Sequence, residues 1–148
     1  MSAEKNNAVV LRAAEESFPG PAPALTSAGR GWTGVELMRF KGYVQEIALP
    51  PLPSHVVVVG VTHHTVDLVQ RLGGKLYEVS CHPGDASIVS AETPVEVEIR
   101  ERVKSDVLNL HLGDTFLRGV AESVEVDPDG LEIVNRLCVP DPQIERIG

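Results

Sequence analysis

Residues 81–94, Cys-His-Pro-Gly-Asp-Ala-Ser-Ile-Val-Ser-Ala-Glu-Thr-Pro, constrain the fold of this chain more than any other stretch. Pro83 fixes φ at the first central position of a turn. Gly84 follows, where a positive φ costs least, and Asp85 can close the corner onto its own backbone. A short apolar run comes next, then a second corner at Ala91-Glu92-Thr93-Pro94, then the alternating Val95-Glu96-Val97-Glu98-Ile99. Strand, Pro-Gly-Asp corner, strand, Thr-Pro corner, strand is the punctuation of a small jelly-roll β-barrel.

The rest of the chain supplies further strands. Residues 35–40 and 43–49 read as two strands joined at Lys41-Gly42, with Pro50, Pro51 and Pro53 ending the second. Residues 55–63 are nearly all apolar and predict a strand covered on both faces. Residues 66–72 and 75–82 form a hairpin around Gly73-Gly74. Residues 106–112 alternate, with Leu108, Leu110 and Leu112 on one face and Val107, Asn109 and His111 on the other. Eight or nine closely spaced strands with little helix argue for one mainly β domain rather than an α/β fold.

The pattern changes at Gly113. Asp114 or Thr115 can cap a helix over 113–126, whose Phe116, Leu117, Val120, Ala121 and Val124 make one apolar stripe. Asp127-Pro128-Asp129-Gly130 is a turn, and 131–139 are strand-like. Asp141 and Pro142 have the chemistry of a helix start. A helix begun so close to residue 148 suggests a longer parent protein. At the other end, residues 1–31 read as a flexible arm broken by Pro19-Gly20-Pro21-Ala22-Pro23, and the ordered domain is expected over 32–148.

Composition limits the partners. The net charge is −8, so the chain lacks the basic surface that neutralises nucleic-acid phosphates. The longest apolar run, 56–61, is strand length, far short of the ~20 residues of a membrane helix. No secretory signal is evident at the N-terminus, and a cytoplasmic protein without membrane contact is expected. Cys81 and Cys138 could pair, but in a reducing compartment two free thiols are the expectation.

Ala48-Leu49-Pro50-Pro51-Leu52-Pro53-Ser54-His55 stands before an apolar strand. His82-Pro83-Gly84-Asp85 is followed by Ala91-Glu92-Thr93-Pro94. Asp106-Val107-Leu108-Asn109-Leu110-His111-Leu112 leads into a helix, and Val139-Pro140-Asp141-Pro142-Gln143-Ile144 comes last. In that order and spacing they resemble the N-terminal sensor domain of AraC-type transcriptional regulators. The resemblance covers residues 48–147. It implies a cupin-like barrel with a short C-terminal helical segment, a small-molecule effector and a homodimer. It also implies DNA binding through two helix-turn-helix units C-terminal to the barrel, which these 148 residues do not contain. The long N-terminal arm departs from the pattern.

The alternative is a metal-dependent cupin enzyme or a free-standing small-molecule-binding cupin. Cupin enzymes hold a metal with a His-x-His on one strand, a later Glu and a further His. Here His63 and His64 are adjacent, so a regular strand points them to opposite faces. Asp67 is the one nearby carboxylate, with His82 and His111 on other strands. Neither a metal site, a cofactor nor a catalytic residue is expected from this set. Glu96 and Glu98 share a face read as solvated. A ligand pocket inside the barrel would draw on Tyr43, His63, Tyr77 and His111, with Trp32 at its mouth. With 4% aromatic residues, its walls would be mostly aliphatic.

Overall fold

The computed structural model describes residues 24–43, 46–101 and 104–141. Ten strands run along them: β1 (Leu25–Thr26), β2 (Val35–Tyr43), β3 (Glu46–Leu49), β4 (His55–Gly60), β5 (Val66–Leu72), β6 (Lys75–Cys81), β7 (Asp85–Val89), β8 (Val95–Ile99), β9 (Lys104–Leu112) and β10 (Arg136–Pro140). One helix, α1 (Asp114–Ser123), and one 3₁₀ turn (Pro128–Gly130) separate β9 from β10. The strands form a six-stranded sheet, β1-β2-β9-β4-β7-β10, and a four-stranded sheet, β3-β8-β5-β6. Every pairing is antiparallel. Strands β2-β9-β4-β7 facing β3-β8-β5-β6 is the order of an eight-stranded jelly roll. The fold is mainly β and cupin-like, with a short helical segment after the barrel strands.

The corner at 82–85 closes as its residues require. Gly84 has φ of +85°. The Asp85 backbone N–H donates to the His82 carbonyl at 3.0 Å, and the Asp85 carboxylate accepts the His82 backbone N–H at 2.9 Å. Gly73 and Gly74, both at positive φ, turn β5 into β6.

Several boundaries differ from the sequence expectation. β2 continues through Lys41-Gly42, because Gly42 pairs with Ser105 and Tyr43 with Lys104 in an unbroken ladder with β9. Leu25 and Thr26, in the stretch read as arm, pair with Arg39 and Met38. β4 stops at Gly60, and His63 and His64 lie in the bend that follows. The cap of α1 is Gly113, with no side-chain capping bond. The strand expected over 131–139 starts later and ends one residue further on, as β10, which pairs with β7 through Arg136, Val139 and Pro140 around an irregularity between Arg136 and Val139 where Cys138 takes φ of +49°. Beyond Asp141 itself, the helix expected to start there lies outside the described residues.

The two thiols expected to be free are joined: Cys81 and Cys138 form a disulfide, with Cα atoms 5.0 Å apart. Sequence separation hid what the topology brings together, since β6 and β10 are edge strands of the two sheets and close one side of the sandwich.

The two sheets differ on their outer faces. On the four-stranded sheet that face is charged, with Arg71 3.6 Å from Glu96 and Arg100 2.8 Å from Glu78. On the six-stranded sheet, Leu37, Leu110, Val57 and Ile88 form one half-buried register row. That row is why β4 reads as apolar on both faces.

Candidate ligand-binding site

Alternation along the strands fixes what the sandwich interior contains. From the six-stranded sheet, Phe40, Val56, Val58, Ser87, Val89, Val107 and Asn109 point between the sheets. From the four-stranded sheet come Val66, Leu68, Gln70, Val95, Val97 and Ile99. These side chains enclose a cavity of about 170 Å³. The β-branched strand residues that give the sheets their propensity also leave this gap, since valine reaches less far across a sandwich than leucine or phenylalanine.

The lining is aliphatic through its middle and polar at both ends. At one end Lys41, His82 and Asp85 are its ionisable members. Asp85 is occupied by the corner, and His82 Nδ1 lies 2.9 Å from Thr65 Oγ1. At the other end stand Ser54, Ser90 and Thr93, with the Ser90 and Thr93 hydroxyls 2.9 Å apart. Between them, Asn109 and Gln70 face the cavity from β9 and β5, an inner strand of each sheet. Both are buried. Asn109 Oδ1 has no hydrogen-bond partner within the protein.

His111 lies on the same face of β9, one register step beyond Asn109 and beside Val56 and Glu36. It is 2% exposed. Ser54 Oγ lies 3.5 Å from its Nδ1, and Nε2 has no protein partner. Burial pushes its pKa down to about 4, so it is neutral near pH 7.

None of the five side chains expected to shape the pocket lines it. Trp32 and Tyr43 are exposed, before β2 and at its end. His63 is exposed in the β4–β5 connection. Tyr77 pairs with Gln70 but sits on the edge strand β6. His111 is interior, stacked past the cavity's end. Sequence reasoning instead missed Asn109 and Gln70. Their signal was present: an amide in register with the inward row of an otherwise apolar strand.

The residues do not fit a metal centre. Among the described residues, no three His, Cys, Asp or Glu side chains lie together as ligands, and His63 and His64 stand away from the cavity. What the arrangement can do is enclose a small, largely apolar molecule and offer it a few hydrogen bonds.

No family model and no curated protein sequence matches this chain. Solved structures do resemble it. The plu4264 protein of Photorhabdus luminescens matches at 9% identity and a TM-score of 0.49, over 68% of this chain and 82% of that one. HEPD of Streptomyces albus, solved with 2-hydroxyethylphosphonate and Fe(II), matches at 18% identity and 0.44, over 77% of this chain and 27% of its own. The cupin domain of Schizosaccharomyces pombe Cnp3 matches at 6% identity and 0.41, over 62% and 61%. At these identities and scores the likenesses assign neither ligand nor reaction. Among the described residues, no helix is long and apolar enough to cross a membrane.

Proposed function

We propose that this chain is a small-molecule-binding sensor domain, the effector-binding and dimerising part of an AraC-type transcriptional regulator. The observation that carries the binding role is the cavity between the sheets, walled by valines, with no group of three His, Cys, Asp or Glu side chains placed to hold a metal among the described residues. The regulator role is supported by the order and spacing of the sequence motifs across 48–147 that resemble that family. It also draws on the net charge of −8, which leaves DNA contact to helix-turn-helix units outside these residues. Signalling would follow from an effector that binds one arrangement of the domain better than another. A homodimer and a cytoplasmic location belong to the same reading. In a reducing cytoplasm Cys81 and Cys138 would stand as neighbouring thiols.

Reading the open reading frame beyond Gly148 tests the regulator role. Two helix-turn-helix patterns with a basic face are expected, and a stop codon there removes DNA binding from the proposal. Light scattering of the purified chain tests the dimer, and a monomer at micromolar concentration would count against it.

A further inference from the structure

The polar atoms that a bound molecule can touch say what kind of ligand fits. A cavity of about 170 Å³ is close to the roughly 150 Å³ apolar cavity that holds a benzene ring, so one six-membered ring fills it. Most polar groups of the lining are already taken. Ser87 Oγ accepts the Cys138 N–H, Asp85 accepts the His82 N–H, His82 faces Thr65, and the Ser90 and Thr93 hydroxyls face each other. Asn109 Oδ1 has no surface that a ligand atom can reach. Gln70 is different. It is 6% exposed and lines the cavity from β5, in register with Val97 of β8. Its side chain makes no hydrogen bond to a described residue, and its amide atoms are not closed off as Asn109 Oδ1 is. The amide therefore keeps some open surface, and a side chain pointing between the sheets turns that surface to the cavity. Leaving its groups unmet in an apolar enclosure is costly, and a ligand that meets both relieves the cost.

A side-chain amide offers a donor and an acceptor side by side. A ketone meets only the donor, and a carboxylate there would lose its hydration without an ion partner. A ring amide carries the matching acceptor and donor on one edge. We infer that the cavity takes a compact neutral ring compound of the lactam class, paired edge to edge with Gln70. The ligand N–H donates to Gln70 Oε1, and Gln70 Nε2–H donates to the ligand carbonyl. The ring lies against Val56, Val58, Val95 and Val97. The inference rests on reading this cavity as the binding site.

The test uses the whole chain and four probes of one ring size, titrated by calorimetry: δ-valerolactam, its N-methyl derivative, toluene and benzoate. N-methylation keeps the ring and carbonyl and removes only the donor. δ-Valerolactam is expected to bind about tenfold more tightly than the N-methyl compound, with benzoate showing no saturation. In Gln70→Leu that preference disappears, while toluene binds at least as tightly as to wild type. If the variant does not fold, the side-chain amide resonances of Gln70 in the wild type report instead, and they shift on adding δ-valerolactam. An N-methyl compound that binds as tightly as the lactam, a lactam preference that survives in Gln70→Leu, or Gln70 resonances that the lactam leaves in place would each overturn the ligand class while the cavity reading stands. So would benzoate binding most tightly, or toluene binding where neither lactam does. Absence of saturable binding by any of the four would overturn the cavity reading itself.

Discussion

Cys81 and Cys138 join the edge strands of two different sheets. Cys81 ends β6 and lines the cavity, while Cys138 sits at the irregular point of β10, where its backbone N–H donates to Ser87 Oγ at 2.9 Å. The bond closes a loop across 57 residues of sequence. Constraining a loop of that size in the unfolded chain stabilises the fold by roughly 2–4 kcal/mol. Cys138→Ser is therefore expected to lower the urea midpoint of the oxidised protein markedly, and to leave reduced protein almost unchanged. Equal midpoints for oxidised wild type and variant would show that the bond contributes nothing.

His111 makes stability depend on pH in a stated direction. Its folded pKa, about 4, lies below the ordinary 6.5. Between those values the unfolded chain takes up a proton that the folded chain refuses, so stability falls as pH falls through that window. From pH 7 to pH 5 this group alone costs roughly 2 kcal/mol. His55, held down by burial as well, adds in the same direction. Relative to wild type, His111→Gln should lose less stability between pH 7 and pH 5. Parallel pH profiles for the two would mean that His111 does not titrate in this way.

Arg39 and Asp106 form a two-pronged ion pair across β2 and β9, with nitrogen–oxygen distances of 2.8 and 2.7 Å. The hydrogen bond from Arg39 holds the Asp106 carboxyl below its ordinary 3.8. The pair's contribution is present above that value and disappears as pH drops through the folded pKa. Asp106→Asn should be less stable than wild type at neutral pH and indistinguishable from it in strong acid. Added salt should narrow the neutral-pH gap, because both groups are partly exposed. A gap that persists in acid would assign the loss to packing instead.

Gly34 is where the start of β2 meets the start of α1. Its carbonyl accepts the Gly113 N–H at 2.8 Å, its φ is +77°, and an added Cβ would stand 2.8 Å from Phe116 Cβ. Gly34→Ala combines a left-handed backbone penalty with a clash and should cost roughly 2–4 kcal/mol. Gly29→Ala has the same φ and open space around it, so it should cost only about 1–2 kcal/mol. Equal losses in thermal unfolding would rule out the Phe116 contact as a source of the difference.

The strands and corners were legible because each rests on local chemistry. Pro83-Gly84-Asp85 and Gly73-Gly74 can do little other than turn, and β5 and β6 match in length around the second. The cavity was legible only in outline. Tyr43, Tyr77 and Trp32 drew attention as large amphipathic side chains, but position decides, and the end of β2, the edge of its sheet and the approach to β2 are wet places. The disulfide depended on which edges meet, a tertiary fact that spacing does not carry. The helix stripe was half right in its consequence: Ala121 is buried, while Phe116, Val120 and Val124 remain exposed.

The most instructive strand is β9, where the leucines face away from the cavity and Asn109 and His111 face in. Moving this strand by one residue would exchange the two rows and put Leu108, Leu110 and Leu112 inside. Greasiness alone would reward that error, because the native arrangement buries two polar side chains and leaves the leucines half covered. The correct alignment is therefore written in pairwise matches: the Arg39 fork on Asp106 next door and Ser54 beside His111. A chain of this kind spells its alignment with its few polar letters, and changing them risks misthreading before it risks unfolding.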